Sequence, residues 1–218
     1  MPYFPPPHAR IFCAAVNYGD HRAEMGREES DTHPMLFLRT PQSLVPAGKP
    51  LIKPPNSDRF DYEGELALII GRPGRHVPRA EALAHVEAWV PFMDGSVRDW
   101  QRHTAQFTPG KNFDGSGSIG DSPVPAALFG DYRRHRLLTR VNGEVVQETP
   151  VDRILFDVET LIAYVSSFTE LRTGDIIATG TCGGVGDKRV PPLYLFPGDT
   201  VEVEVSGLPV LRNGVAAA

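Results

Sequence analysis

Glycine and proline interrupt this sequence along its whole length. The chain has 218 residues and contains 21 of each. Proline cannot continue the interior of a helix, and glycine favours turns. The sequence therefore predicts short strands joined by many turns rather than a helical bundle. A chain of this length suits one domain. We expect residues 1–10, rich in proline, to form an N-terminal arm and residues 11–218 to form a single domain.

The charge and the apolar runs exclude several classes of partner. The net charge is −5 and there is no basic run, so we expect no nucleic-acid binding. The longest apolar run, residues 66–70, is far shorter than the ~20 residues of a membrane span, so we expect no membrane association. Cys13 and Cys182 lie far apart and are predicted to be free thiols. The first ten residues lack the pattern of a signal peptide, which favours a cytoplasmic location.

Short apolar segments predict the strands. Asn142-Gly143 between two strand-like arms, residues 137–147, predicts a hairpin. Residues 41–58 are expected to be turns, and residues 109–125 a glycine-rich loop. Runs rich in β-branched and aromatic residues are typical of strands. On that basis we expect strands over residues 11–16, 35–38, 61–71, 90–94, 175–178 and 201–205.

Two segments have helical spacing. Residues 78–89 begin with Pro78, a residue common in a first helical turn. Residues 157–171 form the stronger pattern, because Asp157 can cap the helix and the apolar residues fall on one face. The chain is therefore predicted to have a strand-rich α+β fold. The apolar face of the second helix consists of Leu161, Ile162, Val165 and Phe168.

Three acidic residues stand where predicted strands meet the surface. Glu63 and Glu65 precede the apolar run 66–70, and residues two apart on a strand point to the same face. Asp94 ends another apolar segment. Carboxylates held close together repel unless a positive charge lies between them, and Mg²⁺ or Ca²⁺ prefers oxygen ligands. The pattern is therefore consistent with a cation site on Glu63, Glu65 and Asp94.

A plainer interpretation of the acidic pair remains open. Alternating glutamates are common on solvated strands, and Glu202 and Glu204, with the same spacing, are assigned to that class. Gly64 leaves the opposite face of its strand bare, which permits close packing. Asp61 has the same parity as Glu63 and Glu65 and is an alternative ligand.

Two positively charged side chains follow the acidic residues in the chain. Arg98 can bind a substrate carboxylate through two hydrogen bonds, or it can pair with Asp99 or another acid on a helix surface. Lys111 lies in the glycine-rich loop, where it is either solvated or placed to bind an enolate oxygen or a carboxylate.

A histidine and a glutamate stand three residues apart in a polar segment. His21 and Glu24 would face each other on one helical turn, as a surface pair or as a dyad in which the carboxylate orients the imidazole. The surrounding residues 17–30 have no apolar stripe and are predicted to form a mobile lid. Further along, the turn 179–186 can offer N–H groups to an anion, and Cys182 within it is assigned to packing rather than to nucleophilic chemistry.

Six motifs occur in order along nearly the whole chain. They are Asn17-Tyr18-x-x-His21-x-x-Glu24, Asp61-Tyr62-Glu63-Gly64-Glu65-Leu66, Asp94-x-x-x-Arg98-Asp99-x-Gln101, Gly110-Lys111-x-Phe113-Asp114, Arg140-Val141-Asn142-Gly143-Glu144, and Thr179-Gly180-Thr181 with 183–186. Together they resemble the motifs of the fumarylacetoacetate hydrolase family. The resemblance implies that family's catalytic fold, a mixed β-sandwich or roll with a few helices, so that residues 11–218 would be a single catalytic domain.

The resemblance also assigns roles. It implies Mg²⁺, with Mn²⁺ or Ca²⁺ as alternatives, on the three acids named above, and usually a homodimer. His21 and Glu24 would form the acid–base dyad on the lid, with Lys111 as a third catalytic residue. The substrate, a small keto acid, would contact Arg98, Gln101 and Thr181. The chain looks like the short, acylpyruvase-type members.

Four positions depart from the family pattern, and they concern the choice of substrate more than the cation. Cys182 stands where proline is usual, Met93 where asparagine is common, Arg39 where lysine is common, and residues 115–117 replace a bulkier stretch.

The reaction expected from the resemblance is metal-dependent hydrolysis of a C–C bond in a small β-diketo acid such as an acylpyruvate. One alternative is a lyase or isomerase on a related acid, by decarboxylation of an oxaloacetate-like acid or by proton transfer in a hydroxy-dienoate. The other is a non-catalytic protein that binds a metal and a small acid.

Overall fold

The computed structural model describes residues 2–26 and 32–218. The predicted lid, residues 17–30, is therefore described only as far as residue 26, and its last four residues lie outside the described part. All other predicted site residues fall within it.

Strands dominate the architecture, as predicted. Two larger sheets and one two-stranded pair account for the strands of the described residues. In chain order the strands are β1 Ile11–Ala15, β2 Met35–Arg39, β3 Leu44–Pro46, β4 Leu51–Lys53, β5 Phe60–Asp61, β6 Gly64–Ile70, β7 Val86–Met93, β8 Ser96–Val97, β9 Gly117–Ile119, β10 Val124–Pro125, β11 Arg136–Val141, β12 Glu144–Pro150, β13 Ile176–Ala178, β14 Thr200–Val205 and β15 Leu211–Ala217.

The first sheet places an entirely buried strand at its centre. Its order is β2-β1-β13-β6-β7-β9-β3, with β10 added beside β7. Every residue of β6 is buried. A strand that is covered on both faces needs a continuous apolar sequence, and residues 66–70 supply it. β6 and β7 are antiparallel, with Gly64 opposite Met93, so the start of one strand lies beside the end of the other.

The second sheet, in the order β12-β11-β14-β15-β4, packs against the first. Its predicted hairpin joins β11 to β12, with Asn142 and Gly143 both at positive φ, as a type I′ turn requires. Along β14 the valines are buried and Glu202 and Glu204 are not. Glu204 binds Arg140 on the neighbouring strand, which agrees with the assignment of this glutamate pair to the solvated class.

The helices are few and short. The longest, α5, begins at its cap Asp157, whose side chain accepts a hydrogen bond from the backbone N–H of Thr160, as predicted. Of the four residues predicted to form its apolar face, three are buried, but Phe168 is 53% exposed and does not join the core. The α-helices of the described residues are α1 Gly19–Glu24, α2 Arg98–Gln101, α3 Thr108–Lys111, α4 Ala126–Phe129 and α5 Val158–Phe168.

The predicted helix over residues 78–89 is wrong. Residues 79–85 form a 3-10 segment, and the chain is already extended from Val86, where β7 begins. Pairing of β7 with β6 and packing of Trp89 outweigh the weak helical spacing of the sequence. The strand predicted from residue 90 is therefore the second half of a longer one.

Three other segments also differ from prediction. The segment 61–71 is not one strand, because Tyr62 and Glu63 separate β5 from β6. The turns predicted over residues 41–58 contain β3 and β4, and the loop 109–125 contains β9 and β10. These strands are two or three residues long and lack an alternating pattern of their own, so only their neighbours in the sheet define them.

Gly64 allows the two sheets to approach each other where the acidic residues lie. A Cβ atom at this position would fall 2.0 Å from Thr139 Oγ1 on β11 and 3.4 Å from Val203 on β14. Overfilling a packed core costs about 1–3 kcal/mol. We expect Gly64→Ala to lower the free energy of unfolding by that amount in urea titrations.

The double variant Gly64→Ala/Thr139→Ala tests the cause of this loss. Thr139 Oγ1 is buried and has no hydrogen-bond partner among the described residues, so Thr139→Ala alone should be nearly neutral. In the double variant it should recover part of the stability. No recovery would mean that the sheets are not held apart at this contact.

Candidate functional site

The three predicted acidic ligands converge at one edge of the β6–β7 pair. Glu63 lies just before β6, Glu65 within it, and Asp94 just after β7, with its N–H bonded to the Glu63 carbonyl at 2.8 Å. One carboxylate oxygen from each residue lies within 4.8 Å of the others, and all three residues are buried. Glu63 falls within the predicted strand 61–71 but lies outside the observed β6, and strand pairing still brings it to the same point.

One oxygen of each carboxylate is held by a different donor of the protein. Asp94 Oδ1 accepts a hydrogen bond from Arg39 at 2.5 Å, and Glu63 Oε1 lies 2.6 Å from Arg98 Nη1. Glu65 Oε2 accepts from the Gly180 N–H at 2.9 Å. The orientation of each carboxylate is therefore fixed before any ligand binds.

Lys111 joins two of the acids. Its Nζ lies 2.7 Å from Glu63 Oε2 and 2.7 Å from Asp94 Oδ2. Burial favours the neutral amine, but the charges of Asp94 and Glu63 outweigh it and raise the pKa of Lys111. The residue is buried rather than solvated, and its ammonium lies 5.0 Å from the centre of the Phe37 ring.

Charge is unevenly compensated within the triad. Burial opposes ionisation of Glu63, but Lys111 and Arg98 outweigh it and lower the pKa of Glu63. Burial, followed by the charges of Asp94 and Glu63, raises the pKa of Glu65 well above its usual range. A hard divalent cation would relieve this repulsion. A set of three buried carboxylates that all donate oxygen fits Mg²⁺, Mn²⁺ or Ca²⁺.

Arg98 forms a buried ion pair with Asp61. Arg98 Nε donates to Asp61 Oδ2 at 2.7 Å, and Nη1 donates to Gln101 at 3.0 Å. Arg98 Nη2 is buried and has no hydrogen-bond partner among the described residues. The predicted pairing with Asp99 is therefore wrong, and Arg98 pairs instead with other acids, Asp61 and Glu63. Asp61 is not a member of the triad, since it bonds Arg98 and two backbone N–H groups at the end of the glycine-rich turn.

The predicted dyad forms on α1. His21 Nδ1 lies 3.4 Å from Glu24 Oε2, and the second oxygen of Glu24 accepts from the Gly184 N–H at 2.7 Å. Burial opposes ionisation of Glu24, but the bonds from His21 and Gly184 outweigh it and lower the pKa of Glu24. The His21 side chain is 6% exposed and that of Glu24 is 29% exposed, so the imidazole is buried while its carboxylate partner is partly exposed.

In the turn after β13, the Thr181 side chain makes structural hydrogen bonds and the Cys182 thiol is not a nucleophile. Thr181 Oγ1 donates to the Gly64 carbonyl at 2.9 Å and accepts from Gln147 at 2.8 Å. Burial raises the pKa of the Cys182 thiol to about 12. Cys182 is therefore a neutral packing residue, in agreement with its predicted class.

One small pocket lies among these residues. Its polar lining comes from His21, Glu63, Arg98, Gln101, Lys111 and Thr181. Met25, Phe37 and Phe107 contribute apolar lining. A pocket lined by two cationic side chains, a histidine and one carboxylate of the triad suits a small anionic molecule with a short carbon chain.

Two site residues were not predicted from the sequence. Arg39 was noted only as a departure from the family pattern, yet it contacts Asp94 directly. Gln147 bonds the Gly64 N–H and Thr181 from the second sheet. An arginine ending an apolar strand was a signal for the first. Gln147 carried none, because it looks like any polar residue on a half-exposed hairpin.

Comparison with known proteins agrees with this geometry. The family model for the fumarylacetoacetate (FAA) hydrolase C-terminal region matches residues 10–216. The chain belongs to the fumarylacetoacetate hydrolase family. The family's strand-rich α+β fold is the one described above. A fumarylacetoacetate hydrolase from Exiguobacterium antarcticum has a TM-score of 0.89 at 38% identity and covers 99% of this chain and 77% of that one.

Family members of more than one activity are similar to this chain. The human oxaloacetate tautomerase FAHD2A, described as mitochondrial, is 38% identical over 94% of this chain, and the oxaloacetate tautomerase YisK of Bacillus subtilis is 35% identical over 97%. A fumarylpyruvate hydrolase from Pseudomonas aeruginosa, in complex with Mn²⁺ and pyruvate, has a TM-score of 0.88 at 29% identity.

The relatives differ in length. The chain spans 66% of FAHD2A and 71% of YisK. Against the fumarylpyruvate hydrolase it covers 100% of its own length and 98% of the other chain. Among the described residues, no helix combines the length and apolarity that crossing a bilayer requires.

Proposed function

We propose that this family member is a metal-dependent enzyme that moves a proton on a small 2-keto acid, interconverting its keto and enol forms as an oxaloacetate-type tautomerase does. The observation that carries the proposal is that His21, paired with Glu24, lines the same pocket as Glu63, Arg98 and Lys111. A base, an anion-binding arginine and a cation site then face a single substrate.

Each residue of the site has a separate role in the proposed reaction. Glu24 accepts the Nδ1–H of His21, so Nε2 is the nitrogen that takes a proton from the carbon next to the keto group and returns it. Arg98 Nη2 and Gln101 bind a carboxylate of the substrate, and Thr181 offers a further hydroxyl contact. Lys111 donates to the enolate oxygen. Glu63, Glu65 and Asp94 would hold Mg²⁺, Mn²⁺ or Ca²⁺, which acts as a Lewis acid on the keto oxygen when bound.

Hydrolysis of a C–C bond in an acylpyruvate is the second candidate. The full-length match to a fumarylpyruvate hydrolase favours it. In that reaction His21, oriented by Glu24, draws a proton from water, and the hydroxide attacks the distal carbonyl. The leaving pyruvate enolate would be stabilised by Lys111. Identity does not separate the candidates, because the tautomerases are 35–38% identical and the hydrolase from Exiguobacterium antarcticum 38%. Tautomerisation is placed first because it needs only a proton transfer at carbon and no attacking water.

One experiment separates the candidates. Oxaloacetate and fumarylpyruvate are each incubated with the protein and Mn²⁺, while enol absorbance, CO₂ and free pyruvate are measured. We expect faster equilibration of the oxaloacetate enol without loss of carbon. Fumarate and pyruvate from the second substrate would favour the hydrolase, and CO₂ would favour a decarboxylase. Tight binding of keto acids without turnover of any would contradict the enzyme and favour a binding protein.

Assembly belongs to the same proposal. Residues 11–218 would act as one catalytic domain, and two copies would form a homodimer, as the family resemblance implies. Light scattering on the purified chain gives the molar mass directly, and a single 23.9 kDa species would contradict the dimer.

A further inference from the structure

The shared feature of the three carboxylates is that each has one oxygen already bound to a fixed donor. Arg39, Arg98 and the Gly180 N–H hold Asp94 Oδ1, Glu63 Oε1 and Glu65 Oε2 respectively. Of the second oxygens, Glu63 Oε2 and Asp94 Oδ2 each accept a hydrogen bond from Lys111 Nζ at 2.7 Å. A cation on the triad would therefore meet one oxygen of each carboxylate, would share two of them with Lys111, and would take the rest of its coordination from water and substrate.

Arg39 is the least expected of these donors. Its side chain is entirely buried, and each of its nitrogens is bonded. Nη1 donates to Asp94 and to the Gly95 carbonyl at 2.9 Å. Nη2 donates to Ser116 Oγ at 2.8 Å and to the Ser43 carbonyl, while Nε donates to Ser43 Oγ at 3.1 Å. This guanidinium cannot turn away from Asp94 without breaking several other bonds.

We propose that Arg39 is a positioning residue that restricts Asp94 to one-oxygen coordination and thereby sets the size of cation that the site prefers. The inference rests on the proposed function in taking the triad as the cation site. Ca²⁺ takes six to eight oxygens and readily accepts both oxygens of one carboxylate, whereas Mg²⁺ requires about six in near-octahedral geometry. A triad limited to single oxygens disfavours Ca²⁺.

The ratio of the affinities for Mn²⁺ and Ca²⁺ separates the effect of Arg39 on Asp94 coordination from its effect on charge. Removing the Arg39 cation changes the electrostatic potential at the site, and that change acts on every divalent ion in the same direction. Only the release of Asp94 Oδ1 favours the larger ion over the smaller one. The affinity for Mn²⁺ divided by that for Ca²⁺ is therefore the quantity to measure.

The test compares Arg39→Met with Arg39→Lys in the absence of substrate. Mn²⁺ binding is followed by the electron paramagnetic resonance signal of the free ion, and Ca²⁺ binding by competition. We expect Arg39→Met to shift the Mn²⁺/Ca²⁺ ratio towards Ca²⁺ by about 10-fold, the lower end of the effect of losing a partner of a metal ligand. Arg39→Lys should stay near the wild-type ratio, because an ammonium can still hold Asp94 Oδ1.

Two further variants complete the design. Arg140→Met removes an arginine that pairs with Glu204 on the second sheet, and it should leave the ratio unchanged. Ser116→Ala removes one anchor of Arg39 without touching a carboxylate. It should shift the ratio in the same direction by a smaller factor, so it provides the measurement if Arg39→Met does not fold.

The outcomes are distinct. A folded Arg39→Met protein with the wild-type ratio overturns the role of Arg39, as does a wild-type ratio in Ser116→Ala when Arg39→Met is unfolded. Cation binding by the wild-type chain without turnover of any keto acid would overturn the proposed function and leave this inference standing. A wild-type chain that takes up no cation overturns both.

Discussion

Replacing Glu65 by glutamine is expected to abolish divalent cation binding and turnover while leaving the protein folded. Glu65 is the member of the triad held by a backbone N–H, whereas Glu63 and Asp94 are paired with lysine or arginine. Among the described residues Glu65 forms no ion pair, so glutamine at this position leaves no buried cation without its partner. Burial and the neighbouring carboxylates also raise the pKa of Glu65. The loss of Mn²⁺ affinity should exceed the roughly 10- to 100-fold typical of losing an outer partner of a metal site.

Two controls give this result its meaning. Glu202→Gln changes a glutamate of the solvated strand β14 and should alter neither cation binding nor stability. Asp94→Asn should instead lose about 3–5 kcal/mol of stability, because it leaves Arg39 buried without its partner charge. Urea titration and Mn²⁺ binding are measured on each protein. Wild-type Mn²⁺ affinity in Glu65→Gln would remove Glu65 from the site.

Replacing His21 by alanine is expected to reduce turnover by about 10²- to 10⁴-fold, the range typical for loss of a general base. His21 lies outside the cluster of ligand oxygens, so the affinity for Mn²⁺ should change little. Steady-state kinetics with oxaloacetate and with fumarylpyruvate, together with Mn²⁺ titration, measure the two properties separately. His103→Asn, at an exposed position, is the matched control.

The pattern of loss also separates the candidate reactions. Hydrolysis and tautomerisation both need a base that takes up a proton. Decarboxylation releases CO₂ with neither that proton transfer nor an attacking water. His21→Ala should therefore cost hydrolysis or proton exchange more than CO₂ release. Equal loss of all three would count against His21 as the group that moves the proton.

The sequence predicted the residues of the site better than their local structure. Glu63, Glu65 and Asp94 were found because short apolar runs mark the ends of core strands, and pairing of β6 with β7 brings those ends together. The helix assigned to residues 78–89 was wrong, because strand pairing is a long-range contact that local spacing does not record.

The supporting contacts were the hardest part to predict. Arg39 and Gln147 reach the site from β2 and β12, which are remote in sequence and carry no motif of their own. Likewise, only the folded chain shows that Asp61 serves Arg98 rather than the cation ligands. Such roles depend on which buried donor lies nearest to which acceptor, and composition alone does not fix that distance.

The two hydrogen bonds of Glu24 have a consequence for the timing of the reaction. One oxygen faces His21 on the same helix, and the other is anchored to Gly184, in the turn that follows β13. A displacement of α1 from the sheet would break the bond to Gly184 and would carry His21 and Glu24 away from the pocket together. In the proposed reaction, the position of the base therefore depends on the same contact that ties this helix to the turn.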